Sequence, residues 1–365
     1  MRLPRDLHPV AWWAWAVGLA VAASCTTNPI LLGVLLGVIT LVVLTCRSDQ
    51  PWARSFRLYV WLGVVVVLVR ILFRLLLGGD VPGHVLLTLP SIPLPDWAAG
   101  ISLLGPFTRE ELLAATYEGL RLATLLVAVG AANALANPKR LMKSLPPALY
   151  EIGTAMTVAI SVVPQLADSA RRVRAAQQLR GGPQGRLRRI RGVRRLLVPI
   201  LEDSFDRSLA LAAGMDARGY GRSGELTTPQ RRITGALIIA GLVGVCVGVY
   251  AFLDSTAPRV LALPMLGLGL LVALGGFATA GRRVQRTRYR PDRWQLPELV
   301  VAASGVASGA GMWATQRWEP LVAHPSVVVR PGLSLLALAA VLVAVAPVWA
   351  APPPVTAQRR EEAMA

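Results

Sequence analysis

Two short segments of this chain carry residue types that could act on a partner, and both follow one pattern. Residues 176–181 read Ala-Gln-Gln-Leu-Arg-Gly, and residues 214–221 read Gly-Met-Asp-Ala-Arg-Gly-Tyr-Gly. Each pattern predicts a helix whose last turn presents an arginine and whose chain then turns at a glycine. A cation is favoured in that last turn by the helix dipole. These residues could bind a partner through a positively charged helix end.

A plainer interpretation of the same residues stays open. Arginines at helix ends also cap the last carbonyl groups and hold anionic lipid headgroups. A single Arg-Gly helix end is common, whereas two such ends, Arg180-Gly181 and Arg218-Gly219, are less so. The pair therefore makes docking onto a partner a hypothesis worth testing.

Sequence motifs of catalysis are missing from the chain. A phosphate-binding loop needs Gly-Lys-Ser/Thr, and neither lysine, Lys139 or Lys143, follows a glycine. There is no Gly-x-Ser-x-Gly or His-Glu-x-x-His motif. The three cysteines and three histidines lack metal-ligand spacing; they are Cys25, Cys46, Cys246, His8, His84 and His324. We therefore expect no enzymatic activity, cofactor or metal site.

Composition predicts a membrane protein. Hydrophobic residues make up 54% of the chain and charged residues only 16%, which is too apolar for a soluble protein of this length. The net charge of +18 would suit a nucleic-acid-binding protein, but such proteins lack apolar runs of about 20 residues. Eight segments are predicted to span the bilayer: 10–25, 30–46, 58–77, 119–136, 233–253, 260–280, 296–314 and 333–350.

The distribution of arginine predicts the topology. Basic residues before the first span and after the second, fourth and sixth all fall on one side of the membrane if each span crosses once. The chain is then expected to lie in the plasma membrane of a bacterium, with both termini in the cytoplasm. Residues 78–106, which hold five prolines, form a long irregular loop on the opposite side.

The predicted fold class is an all-α, polytopic membrane protein of about eight transmembrane helices. Residues 1–136 hold four membrane helices and the outer loop 78–115, and residues 137–232 form a cytoplasmic helical region between helices 4 and 5. Residues 233–351 hold four more membrane helices, and residues 352–365 form a cytoplasmic tail.

Several charged residues fall within or beside the predicted spans. Thr108 and Glu111 form a predicted capping box that opens a helix running along the membrane face or into the fourth span. On that helix, Glu118 and Arg121 are expected either to pair inside the bundle or to reach the headgroups. Arg70 and Arg74 lie one turn apart on the third span, and Arg74 is expected to reach the headgroups.

The cytoplasmic region is strongly basic and helical. Between Asn137 and Arg232 there are eighteen Lys or Arg against seven Asp or Glu, a net charge of about +11. Pro164 and Pro199 are expected to kink or start helices. Apolar residues recur at three- and four-residue steps along two helices; they are Met156, Ile160, Val163, Leu166, Ala170, Val173 and Ala176, then Leu197, Leu201, Phe205, Leu209, Ala212 and Met215.

From His8 to about Tyr250, the chain resembles the transmembrane T component of energy-coupling factor (ECF) transporters, the CbiQ/EcfT-like family. That family has two cytoplasmic coupling helices, each ending in Ala-Arg-Gly. Ala217-Arg218-Gly219 matches the second motif in full, and Arg180-Gly181 matches the first except that Leu179 replaces the alanine. The three spans after Tyr250 exceed the family pattern and are expected only to add membrane packing.

The resemblance implies a non-catalytic subunit of a vitamin or metal-ion importer. Two ATPase subunits, separate or fused, would each accept one coupling helix in a surface groove, while a membrane-embedded S component carries the substrate. Arg180 and Arg218 would pair with acidic groups of the ATPases, and Gly181 and Gly219 would permit the close turn. Two alternatives remain: a membrane scaffold or permease with another cytoplasmic partner, and a membrane enzyme whose active site forms across loops.

Overall fold

The computed structural model describes residues 5–49, 53, 55–77, 83–88, 90, 92–93, 102–144, 149–179, 186–219, 228–254, 259–283 and 294–353. The chain divides into two compact units, one formed by Met1–Leu141 with Pro291–Ala365 and the other by Met142–Arg290. The first unit is thus built from both ends of the chain and the second from its middle.

Helices account for nearly all of the described residues. They are α1 (Pro9–Ser24), α2 (Pro29–Cys46), α3 (Phe56–Leu77), α4 (Arg109–Leu135), α5 (Pro138–Lys143), α6 (Tyr150–Leu179), α7 (Arg186–Ala217), α8 (Thr228–Leu253), α9 (Arg259–Arg283), α10 (Leu296–Trp318), α11 (Pro320–Ala323), α12 (Leu335–Leu342) and α13 (Pro347–Ala350). A short 3-10 turn at Val343–Val345 joins the last two.

The predicted all-α membrane class is confirmed. Among the described residues, five stretches of helix are long and apolar enough to cross a membrane; they are Pro29–Cys46, Phe56–Leu77, Arg109–Leu135, Arg232–Leu253 and Ala262–Gly281. Pro9–Ser24 and Leu335–Ala350 are shorter apolar segments. The seventh predicted span is helical as α10 but is not among the five. The number of crossings stays a prediction.

Helices from the two ends of the chain form the core of the first unit. α1 packs against α10, and Trp15 and Leu19 are fully buried there. The Trp15 indole N–H donates to the carbonyl of Ala344, 3.1 Å away. The fully buried Asn28 side chain donates to the carbonyl groups of Val322 and Gly332, at 2.9 and 2.8 Å. The segments after α9 are therefore part of this core.

Short strands occur in the segment between α3 and α4, where the sequence predicts irregular structure. β1 (Val85–Thr88) pairs antiparallel with β4 (Pro106–Thr108), and β2 (Ile92–Pro93) pairs antiparallel with β3 (Ser102–Leu103). Proline has no backbone N–H to donate, so it restricts strands to short, edge-like pairs. The prolines in these strands explain why the sequence predicts a loop in this segment.

The predicted capping box at the start of α4 is confirmed. The backbone N–H of Glu111 donates to the Thr108 hydroxyl, and the backbone N–H of Thr108 donates to the Glu111 carboxylate, both at 3.2 Å. α4 then runs unbroken from Arg109 to Leu135, so the capped helix continues into the fourth predicted span.

The second unit contains two pairs of packed helices, α6 with α7 and α8 with α9. In the latter pair, Gly241 and Gly248 of α8 lie directly against the backbone of Ala273 and Leu266 of α9. Small residues of this kind let helix backbones approach closely within a membrane. Pro164 and Pro199 lie inside continuous helices, α6 and α7, rather than at their starts.

Candidate coupling surface

The Ala217-Arg218-Gly219 motif forms the C-terminal end of α7. Ala217 is the last helical residue, and the backbone N–H of Arg218 donates to the carbonyl of Met215 at 3.1 Å. Gly219 adopts a left-handed conformation with φ of 75°, and its N–H donates to Asp216 at 2.8 Å. A glycine in this conformation is a common helix stop, because a side chain there would be strained. All three motif residues are exposed, so the helix end is presented to its surroundings.

The first predicted helix end is only partly described. α6 ends at Leu179, whose side chain is 90% exposed, and Arg180 and Gly181 lie outside the described residues. The described part of α6 therefore reaches the residue before the predicted arginine. The role of Arg180 and Gly181 stays a prediction from the sequence.

A polar cluster joins α6 to α7 near the middle of both helices. The Ser169 hydroxyl donates to the Asp203 carboxylate at 2.5 Å, and Ser169 is buried although its neighbours along α6 are mostly exposed. Arg207, one turn along α7, donates to the other carboxylate oxygen at 3.1 Å. Arg172 of α6 lies 3.7 Å from the same carboxylate. We call Ser169, Arg172, Asp203 and Arg207 the Asp203 cluster.

The Asp203 cluster keeps its carboxylate charged. The Ser169 hydrogen bond and the nearby Arg207 and Arg172 guanidinium groups hold the pKa of Asp203 below its usual range, against the opposing effect of burial. An ionised carboxylate accepts hydrogen bonds from both helices at once. This cluster was not predicted, because a serine and an aspartate on separate helices carry no joint signal in the sequence.

Several of the predicted apolar residues along α6 and α7 are left exposed by the described part of the chain. Val163 and Leu166 on α6 and Leu201, Phe205 and Leu209 on α7 are between 36% and 68% exposed. Exposed apolar residues that recur along a helix are typical of a site of interaction with a protein or a membrane. The coupling surface, which we define as these five residues with Ala217, Arg218 and Gly219, thus combines an apolar face with a basic tip.

The charged residues of the predicted spans have partners different from those considered in the sequence. Glu118 of α4 pairs with Arg70 of α3, and Arg121 donates to the carbonyl of Ser24. Within the described residues, no ion pair joins Glu118 to Arg121. The cost of each charge in the membrane is therefore reduced by another helix.

The first unit contains a further ion pair that the sequence did not predict. The Arg5 guanidinium lies 2.6 Å from the carboxylate of Glu298, which is almost fully buried. Glu298 also accepts from the backbone N–H of Gln295 at 3.1 Å, in a capping box that opens α10. The Gln295–Glu298 spacing could have indicated this cap, but not the distant arginine. In the described part of the chain, no group of His, Cys, Asp and Glu side chains could hold a metal ion.

Comparison with known families gives a match over the coupling surface and the helices before it. Residues 1–230 match the model of the family described as cobalt transport protein, CbiQ. This match includes α1 to α7 and the Ala217-Arg218-Gly219 motif, and it ends at the start of α8. The helices from α9 onward lie beyond it.

Curated relatives have the name energy-coupling factor transporter transmembrane protein EcfT. One from Thermanaerovibrio acidaminovorans is 30% identical over 237 residues, which is 61% of this chain and 80% of that protein. One from Streptococcus equi is 30% identical over 115 residues, 30% of this chain and 42% of that protein. One from Bacillus subtilis is 33% identical over 104 residues, 27% of this chain and 37% of that protein. The shorter matches thus span less than half of those relatives.

The family model covers well over half of the chain, and the Thermanaerovibrio relative is matched over most of its length. Together with the apolar helices, these matches confirm the resemblance drawn from the arginine-glycine motifs. The chain belongs to the CbiQ/EcfT family of transmembrane components of energy-coupling factor transporters.

Proposed function

We propose that this chain couples ATP hydrolysis by two ATPase subunits to the movement of a membrane-embedded S component that imports a vitamin or a metal ion. The chain itself catalyses no reaction in this scheme. The observation that carries the proposal is the end of α7, where Arg218 is exposed next to a glycine turn on a helix with an uncovered apolar face.

The charge of the region supports an acidic partner. Arg218 adds to the helix C-terminus a full positive charge, and the surrounding residues 137–232 carry a net charge of about +11. A surface groove with carboxylates would hold the guanidinium by charged hydrogen bonds, which are stronger than neutral ones. Arg180, the residue that follows Leu179 in the sequence, has the same role toward the second ATPase subunit or toward the other half of a fused one.

The Asp203 cluster gives the two helices a shared contact through which motion can pass. When the ATPases close on ATP, the helix ends move together, and Ser169–Asp203 transfers the displacement between α6 and α7. The exposed apolar residues of the coupling surface contact the S component or the bilayer. The S component determines the substrate.

The arginine distribution supports a bacterial plasma membrane protein with both termini in the cytoplasm. Single cysteines at positions 185 and 223, in a chain lacking Cys25, Cys46 and Cys246, should react with a membrane-impermeant reagent only after the cells are opened. A cysteine at Val328, which is exposed in the loop before α12, should react in intact cells. The reverse pattern would overturn this orientation.

The docking role is tested by replacing Arg180 and Arg218 together with glutamate. The double variant should insert into the membrane normally but fail to co-purify with the ATPase pair, because each tip would then repel an acidic groove. The double variant Arg171→Glu with Arg174→Glu is the matched control, because it makes the same charge change at two exposed positions on α6 away from the tip.

Two results would count against the proposal. If the double variant co-purified with the ATPases as well as the wild type does, the arginines would not be docking residues. If the control lost the ATPases to the same extent, binding would depend on general charge rather than on the helix ends. ATPase activity of the purified chain alone would favour a membrane enzyme.

A further inference from the structure

A groove lies between α3 and α4 on the first unit. Its volume is about 430 Å³, and its wall is mostly apolar, with Val65, Val69 and Phe73 on one side and Leu122 on the other. Val69, Phe73 and Leu122 are each about half exposed, so the groove is open along its length. Both helices are among the segments able to cross a membrane, and only 6% of the α3 segment is buried. The groove therefore faces lipid or a membrane partner.

Three charged side chains also line this groove: Arg70, Arg74 and Glu118. Arg70 and Glu118 pair with each other. Arg74 is only partly exposed, its Nε is buried, and it has neither an acceptor nor an ion pair among the described residues. The groove thus has one unneutralised positive charge beside an apolar wall.

The position of Arg74 sets the depth at which a counter-ion must lie. Arg74 is in the last turn of α3, three residues before Leu77, which is about 4.5 Å from the helix end at 1.5 Å per residue. A guanidinium here can reach the headgroup layer while its stem stays on the apolar wall. Lipid phosphates are the anions present at that depth, and arginine binds phosphate through two parallel hydrogen bonds.

The charge of the groove also selects among lipids. A zwitterionic lipid brings an ammonium group, which needs an acidic partner. Among the described wall residues the only carboxylate is that of Glu118, and it already pairs with Arg70. A lipid with a net negative charge needs no such partner. We propose that the α3–α4 groove is a binding site for one acidic phospholipid, whose phosphate lies on Arg74 and whose acyl chain lies against Val69, Phe73 and Leu122.

The proposal is tested on the full chain in nanodiscs of phosphatidylcholine that contain a minority of phosphatidylglycerol. Native mass spectrometry should show one retained phosphatidylglycerol in preference to phosphatidylcholine. Arg74→Gln should weaken that retention by about tenfold, the effect of losing a charged hydrogen bond. Arg317→Gln is the matched control, because it removes an arginine from the last turn of α10, outside the groove, and should leave retention unchanged.

Two further variants separate the charge from the cavity. Glu118→Gln frees Arg70 and should increase retention of phosphatidylglycerol, an effect opposite in sign to general destabilisation. Val69→Trp fills the groove without changing charge and should reduce retention.

Several outcomes would overturn the site. Equal retention of phosphatidylcholine and phosphatidylglycerol would remove the charge argument, and displacement of the lipid by inorganic phosphate would show that the acyl chain contributes nothing. If a photo-reactive residue at position 69 cross-linked in cells to a membrane protein rather than to lipid, the groove would be a protein interface.

Discussion

Gly18 of α1 and Gly305 of α10 pack backbone against backbone. A Cβ atom on either glycine would overlap main-chain atoms of the other helix. Gly309, one turn further along α10, also lies against Gly18. This crossing joins a helix inside the family match to one beyond residue 230. The C-terminal segment is therefore part of the core of the first unit, beyond the general membrane packing expected from the sequence.

Substituting Gly305 with alanine should destabilise the first unit. The added methyl group meets the backbone near Trp15, which cannot move aside as a flexible side chain can, and overpacking of this kind costs about 1–3 kcal/mol. Thermal unfolding in detergent would measure the loss. Gly37→Ala is the control, since no atom of the described part of the chain lies within 4 Å of a Cβ there. Equal stability of the two variants would contradict the tight crossing.

Removing the positive partner of Glu298 should also destabilise this unit. Arg5→Gln leaves a buried carboxylate with the Gln295 N–H but no cation, at a cost of about 1–3 kcal/mol. The double variant Arg5→Gln with Glu298→Gln should recover part of that loss, because the buried charge is gone. Denaturant unfolding of the wild type, of each single variant and of the double variant measures this coupling, and strict additivity would show that the ion pair contributes nothing.

Local features of this fold could be predicted from sequence, whereas contacts between distant segments could not. The Thr108 cap and the end of α7 follow from residues a few positions apart, so both were predicted at the correct residue. Arg70–Glu118 and Ser169–Asp203 join separate helices, and no spacing rule connects their members. Charged residues in predicted spans did indicate that partners were needed, but not which ones.

The hydrogen bond from Ser169 to Asp203 should restrain α6 against α7. Ser169→Ala removes the donor while leaving Arg207 in place, so backbone amide exchange in the middle of both helices should accelerate. Ser208→Ala is the matched control, because that hydroxyl bonds only within its own helix, to the carbonyl of Phe205. If both variants exchange like the wild type, α6 and α7 are held together by other contacts.

The same contact should depend on pH in a defined direction. Because the pKa of Asp203 is lowered in the folded chain, the contact is fully present above the ordinary aspartate value of about 3.9, and it is lost as the pH falls through the lowered pKa of the folded chain. A carboxyl-carbon NMR titration should place the Asp203 midpoint below that ordinary value. In Ser169→Ala the midpoint should rise, since the largest cause of the shift is removed. An unchanged midpoint would contradict the role of the serine.

The turn at Gly219 should matter for docking through its backbone conformation. No atom of the described residues lies within 4 Å of a Cβ at this position, so among them Gly219→Ala meets no clash, only the strain of φ at 75°, about 1–2 kcal/mol. Relief of that strain changes the direction of the chain after Arg218 and should weaken binding of the ATPase pair by about tenfold. Gly214→Ala, in the α7 interior with equally open space, should bind as the wild type does. Titration of the ATPases against both variants in nanodiscs measures the difference in affinity. Equal affinities would mean that the left-handed turn is not part of the docking geometry.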